Sequence, residues 1–184
     1  HRNFSMDEEE VIIPQVLAKA GYKHRGIFGK WHLGHTHIKY TPTRRGFTEF
    51  MGHYNGAIDY FTHQRDGELD WHRNEESNYD EGYATDLIAD AASNFIRKHA
   101  NAGPFFCYVP FNAPHSPFQA KEEDIDRYRS LPELPANTTN KQFRSTYAAM
   151  VDCMDQGISR ILQAIDEAGI ADNTLVWFFS DNGG

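Results

Sequence analysis

Leu87-Ile88-Ala89-Asp90-Ala91-Ala92-Ser93-Asn94-Phe95-Ile96, followed after Asn101-Ala102-Gly103-Pro104 by Phe105-Phe106-Cys107-Tyr108-Val109, is the stretch that sets the fold class. Leu87, Ile88, Ala91, Ala92, Phe95 and Ile96 recur at three- and four-residue spacing, which puts them on one face of a helix, and Asn101 and Gly103 supply its stop. Phe105 to Val109 is strand-sized and apolar without alternation, the pattern of a strand covered on both faces. Toward the N-terminus, Val11, Ile12, Val16 and Leu17 predict a helix of about three turns from Glu8, stopped at Ala20-Gly21, and Ile27-Phe28 predicts a strand. Toward the C-terminus, Phe143, Tyr147, Met150, Val151, Met154, Ile158, Ile161, Leu162 and Ile165 form one stripe ending at Ala168-Gly169, and Thr174 to Phe179 reads as a central strand. Helix and strand alternate three times, which specifies an α/β fold with a parallel-sheet core and flanking helices.

Composition narrows the function classes. The 184 residues suffice for one core and are too few for two full domains. Eighteen basic against 26 acidic residues give a net charge of −8, with no basic run to neutralise a row of phosphates, so nucleic acid is not an expected partner. No apolar stretch is long enough for a membrane span. Cys107 lies in an apolar run and Cys153 in a helical pattern, outside any CxxC or metal-ligand spacing, so both read as buried thiols. The sequons Asn3-Phe4-Ser5 and Asn137-Thr138-Thr139 matter only in a secreted eukaryotic protein.

Ligands of open parallel sheets gather beyond the carboxyl ends of the strands. Three polar segments fall there: Gly29-Lys30-Trp31-His32-Leu33-Gly34, Asn112-Ala113-Pro114-His115-Ser116-Pro117 and Ser180-Asp181-Asn182-Gly183-Gly184. In an extended segment Lys30 and His32 share one side and Trp31 takes the other. An ammonium beside an imidazole suits an oxyanion; the plain alternative is a snorkelling lysine beside a hydrogen-bonded histidine. His115 stands between two prolines that restrict its backbone, either as a fixed site group or as a solvated turn residue. Asp181 and Asn182 offer hard oxygen donors for calcium or magnesium, or simply an Asp-Asn-Gly turn. His35 and His37 lack a third ligand at a zinc spacing. The region from about Gly29 to Gly82, roughly fifty residues rich in Gly, His, Asn and Asp, is longer than loops without a task usually are.

Taken in order, Gly29-Lys30-Trp31-His32-Leu33-Gly34, Pro42-Thr43-Arg44-Arg45-Gly46-Phe47, Asp59-Tyr60-Phe61-Thr62-His63, Ala113-Pro114-His115-Ser116-Pro117 and Ser180-Asp181-Asn182-Gly183-Gly184 resemble the formylglycine-dependent sulfatases, most of all the arylsulfatase B (N-acetylgalactosamine-4-sulfatase) type. The resemblance covers nearly the whole chain and implies an alkaline-phosphatase-like fold, incomplete here, with residues 1–184 forming part of a catalytic domain that continues beyond both ends. It further implies a calcium-assisted sulfuric ester hydrolase acting on a sulfated carbohydrate or aryl sulfate. Lys30 would bind a sulfate oxygen, and His32 would take a proton as sulfate is expelled. His115 would hold the sulfate near the leaving oxygen, and Asp181 and Asn182 would be two of the calcium ligands. His63 and Asp59 fall where related enzymes shape the substrate pocket.

The family pattern also includes a paired Asp-Asp, a Cys-x-Pro-Ser-x-Arg whose cysteine becomes formylglycine, and a further lysine, none of which stands in this sequence. The resemblance therefore implies a dependence on formylglycine-generating machinery, an exported, periplasmic or lysosomal location, and no activity from these 184 residues alone. Two alternatives stay open on the residues: a phosphate or phosphonate ester hydrolase of the same superfamily, and an inactive piece that binds sulfated glycans.

Overall fold

The computed structural model describes residues 5–129 and 141–182, and the side chains of 141–143 are not among them. Pro132, Pro135, Asn3 and Phe4 of the first sequon, the whole second sequon, the side chain of Phe143 and the Gly183-Gly184 turn lie outside the described residues. The elements are α1 (Ile13–Lys19), β1 (His24–Lys30), β2 (Glu49–His53), β3 (Gln64–Arg65), β4 (Glu68–Leu69), β5 (His72–Arg73), β6 (Glu76–Ser77), α2 (Ala84–His99), β7 (Phe105–Tyr108), α3 (Glu122–Tyr128) and α4 (Lys141–Glu167).

Five strands form one mixed sheet in the order β6-β5-β2-β1-β7. β1 runs parallel to both β2 and β7, with Lys30 opposite His53 and Ile27 opposite Tyr108. The antiparallel β5 and β6 extend the β2 edge. β1 is covered on both faces because its apolar residues alternate between two clusters. Phe28 packs with Met51, Tyr60, Trp71, Ile88 and Phe95, while Ile27 packs with Trp31, Phe47, Phe50 and Tyr54. α2 lies on the first face and α4 on α2, closely enough that a Cβ at Gly157 would sit 3.1 Å from the Ala89 methyl. Asp86 of α2 pairs with Arg160 of α4 at 2.9 Å and with Lys121, at the start of α3, at 2.9 Å.

The α/β class expected from the sequence is the class observed, but β7, expected to be covered on both faces, ends the described sheet half-buried with Tyr108 exposed, and two further local differences stand out. The first helix begins at Ile13, not Glu8, because Pro14 favours a first-turn position and the carbonyls of Asp7, Glu8 and Glu10 accept from the buried Arg45 guanidinium instead of from helical amides. Thr174 to Phe179 is no strand and pairs with no other strand among the described residues, with Leu175 88% and Trp177 79% exposed. An apolar run becomes a central strand only where neighbours take up its backbone groups and cover its faces, and among the described residues none does so. Among the described residues no helix is long and apolar enough to cross a membrane.

Candidate active site

The carboxyl ends of β1, β2 and β7 converge because two glycines allow their backbones to touch. A Cβ at Gly52, at φ +153°, would lie 2.0 Å from the Gly29 carbonyl oxygen, and one at Gly29, at φ +128°, would lie 2.2 Å from that of Pro110. The Lys30 amide donates to Pro110 at 2.8 Å, so the segment after β7 is stitched to the end of β1. Beyond Lys30 the ladder continues irregularly, as the Trp31 amide donates to His53 and the His32 amide to Tyr54. The Trp31 indole, buried against Phe47, donates to the carbonyls of Gly34 and Tyr40 and closes the loop between them.

Lys30 emerges half-buried at this edge, and exposed His32 follows in a left-handed conformation at φ +53°. Period-two alternation therefore describes Lys30 and Trp31 but not the way His32 reaches its place. Its imidazole fits against Gly56, where a Cβ would meet the ring at 2.6 Å. Burial and the Lys30 charge, then His115, Arg65 and His35, all hold its pKa below the ordinary histidine value. Burial also lowers the Lys30 ammonium, against an opposing pull from the Asp181 carboxylate. Lys30 and His115 thus act electrostatically on His32, and Asp181 on Lys30.

His115 is exposed on a loop fixed by its backbone: its amide donates to Asn112 at 2.9 Å and its carbonyl accepts from the Tyr60 hydroxyl at 2.9 Å. Its Nδ1 lies 2.7 Å from the Ser116 carbonyl oxygen, and donation there leaves the Nε2 lone pair of the neutral ring available. Asp181 and Asn182 are exposed. Their carboxylate and amide oxygens have the hard-donor character calcium prefers, but two residues fill only part of its usual shell of six to eight oxygens. Among the described residues no group of three or more His, Cys, Asp or Glu side chains is placed to hold a metal ion.

His63 does not join this group. It is buried, stacks on Trp71 at 4.5 Å between ring centroids and has Nε2 3.0 Å from the Gly82 carbonyl oxygen, while Asp59 accepts from the amides of Phe61 and Thr62 and from Gln119. Burial pushes the thiols of Cys107 and Cys153 up to about 12. Sequence reasoning missed Arg65, Asn55 and the buried His53 beneath the site. Arg65 had a usable signal, because Asp66-Gly67, at φ +54° and +88°, is the dipeptide of a two-residue hairpin turn that carries Arg65 and Glu68 opposite each other. Asn55 and His53 had none: they are placed by Asp70, which accepts from the Tyr54 and Asn55 amides and the Asn55 side chain at 2.8 to 2.9 Å, fifteen or sixteen residues away in sequence.

Residues 4–184 match the Sulfatase family model. Mouse arylsulfatase J is 33% identical over 96% of this chain and 29% of its own length, and human N-acetylgalactosamine-6-sulfatase is 33% identical over 96% of this chain and 33% of its own. The chain thus spans about a third of these curated relatives. Among solved structures, Ps i-CgsB superposes with a TM-score of 0.78 at 30% identity, covering 94% of this chain and 40% of that one, and it has also been solved with a neocarrahexaose. A sequence that matches one family model over residues 4–184, with relatives 33% identical along almost all of it, makes this chain a member of the sulfatase family.

Proposed function

We propose that the protein containing this chain hydrolyses sulfate esters, and that Lys30, His32 and His115 form the oxyanion-handling part of its active site. The observation that carries this reading is that the segment leading to His115 is stitched to the end of β1 at Lys30, with Lys30 and His115 both disfavouring proton uptake by His32. Lys30 supplies a fixed positive charge for a sulfate oxygen, strengthened by partial burial that limits screening by water. A depressed pKa keeps His32 neutral near pH 7, so its ring can accept a proton during sulfate release. With Nδ1 donating to the Ser116 carbonyl, His115 would hold the ester oxygen side of the sulfate by donating Nε2–H from its doubly protonated ring.

Members of this family are generally calcium-dependent, and Asp181 and Asn182 would hold part of that ion's shell, where it would supply positive charge to the sulfate. The nucleophile, a formylglycine, would come from outside these residues, which we read as part of a larger catalytic domain. A sulfated carbohydrate is the substrate class favoured by the relatives' names and by the solved complex with a neocarrahexaose. Lys30→Ala and His115→Ala in the full-length protein are expected to lower kcat/KM for an aryl sulfate by about a hundredfold or more, the cost of removing a preorganised charge-stabilising group. Near-normal sulfate release from either variant would refute the assignment.

A further inference from the structure

Beside His32 lies a second feature that the sulfate-handling groups do not use. A cleft of about 190 Å³ is bounded by His35, Asn55, Arg65, Asp66 and Glu68. It adjoins the site directly, because Asn55 precedes the glycine on which the His32 ring rests, and both Arg65 and His35 act electrostatically on that ring. Drug-sized ligands occupy pockets of about 300 Å³ and more, so the cleft has room for a single small ring.

Its walls are strongly polar, with Asn55 and His35 held in place and Arg65, Asp66 and Glu68 on the exposed β3–β4 hairpin. The Asn55 side chain is held by Asp70 at 2.8 Å, and the His35 ring lies parallel to Tyr54 with 6.0 Å between centroids. Arg65 and Glu68 are opposed across the β3–β4 hairpin. Arg65 pairs with Asp66 at 3.4 Å, which largely offsets its charge locally. Two carboxylates against one guanidinium leave the cleft net negative, next to a cationic lysine. The site is therefore bipolar: one end attracts an anion, and the other offers carboxylate acceptors, an amide and a guanidinium suited to hydroxyl groups while repelling a second anion.

We propose that this cleft seats the sugar ring that carries the sulfate, and that Asp66 and Glu68 select an uncharged, hydroxyl-rich ring over one bearing a carboxylate. The inference rests on the sulfate-ester reading above and names the substrate class within it. In the full-length, formylglycine-bearing protein, kcat/KM is measured on galactose sulfate, sulfated glucuronic acid and nitrophenyl sulfate, the last having no sugar to seat. Relative to nitrophenyl sulfate in the same sample, which normalises for folded enzyme, Glu68→Ala is expected to lower galactose sulfate turnover about tenfold or more, as for loss of a hydrogen bond to a charged group. The double variant Asp66→Asn, Glu68→Gln is expected to raise the preference for sulfated glucuronic acid over galactose sulfate. Unchanged ratios in both variants, with nitrophenyl sulfate still cleaved, would overturn the cleft assignment alone. Absence of turnover on all three substrates in the unsubstituted protein would overturn it together with the sulfatase reading.

Discussion

Lowering the pH from 7 to 5 should destabilise the full-length protein through one buried residue, His53. Its side chain is fully enclosed opposite Lys30, with Nδ1 2.8 Å from the Asn55 carbonyl oxygen and no hydrogen-bond partner for Nε2. Burial pushes its pKa down to about 4, assisted by the charges of Lys30 and His32 and opposed by Asp70 and the Asn55 bond. An unfolded histidine titrates near about 6.5. Between those values the unfolded chain holds more protons than the folded one, so the contribution to stability is complete above the unfolded value and is lost as the pH falls toward the folded value. At 1.36 kcal/mol per unit the full loss is about 3 kcal/mol, and about 2 kcal/mol of it falls between pH 7 and pH 5. Urea midpoints and slopes measured at both pH values on the natural sequence and on His53→Gln isolate this term, since glutamine is polar but does not titrate. The natural sequence should lose about 2 kcal/mol more on acidification than the variant. Parallel losses in the two proteins, or a smaller loss in the natural sequence, would refute the argument that burial keeps His53 neutral.

Two other perturbations test how the site is held. Gly52→Ala forces a Cβ to within 2.0 Å of the Gly29 carbonyl in a left-handed conformation, and about 2–5 kcal/mol of stability should be lost in urea titrations. Gly67→Ala, at φ +88° with nothing within 4 Å, should lose only about 1–2 kcal/mol; equal losses would contradict the role given to strand contact. Arg65→Ala removes a positive charge that disfavours protonation of His32, so the His32 pKa followed by ring NMR should rise, and less so in high salt. An unchanged or lowered value would mean that the hairpin cation is not part of the site's field.

The legible parts of the fold were those where one face is buried over several turns. The stripes of α2 and α4 and the apolar runs of β1 and β7 fixed the class, although β7 is only half-buried and Tyr147, Val151 and Leu162 of the α4 stripe stay exposed. β2 was not legible, because Glu49-Phe50-Met51-Gly52-His53 mixes a surface carboxylate with a buried imidazole and its strand character comes from pairing with β1. Within the site, Lys30, His32 and His115 could be placed at strand ends from the sequence, whereas Asp181 follows an apolar run that is not a strand among the described residues. The means of their approach could not, since it depends on Gly29 and Gly52 meeting across strands and on His32 leaving extended geometry. Asp59 and His63 illustrate the opposite limit: they sit in a recognisable string, yet their hydrogen bonds are spent on a turn, on Gln119 and on the Gly82 carbonyl.

Leu175 to Phe179 has a practical consequence for anyone handling the 184-residue polypeptide by itself. Five consecutive apolar side chains, with no backbone partner among the described residues, form a ready template for intermolecular β-association, the segment type found in amyloid-prone sequences. Such a polypeptide would be drawn toward chaperones and inclusion bodies. Its yield in soluble form would then report on how completely that one stretch is sheltered, even where the rest of the sheet is well formed.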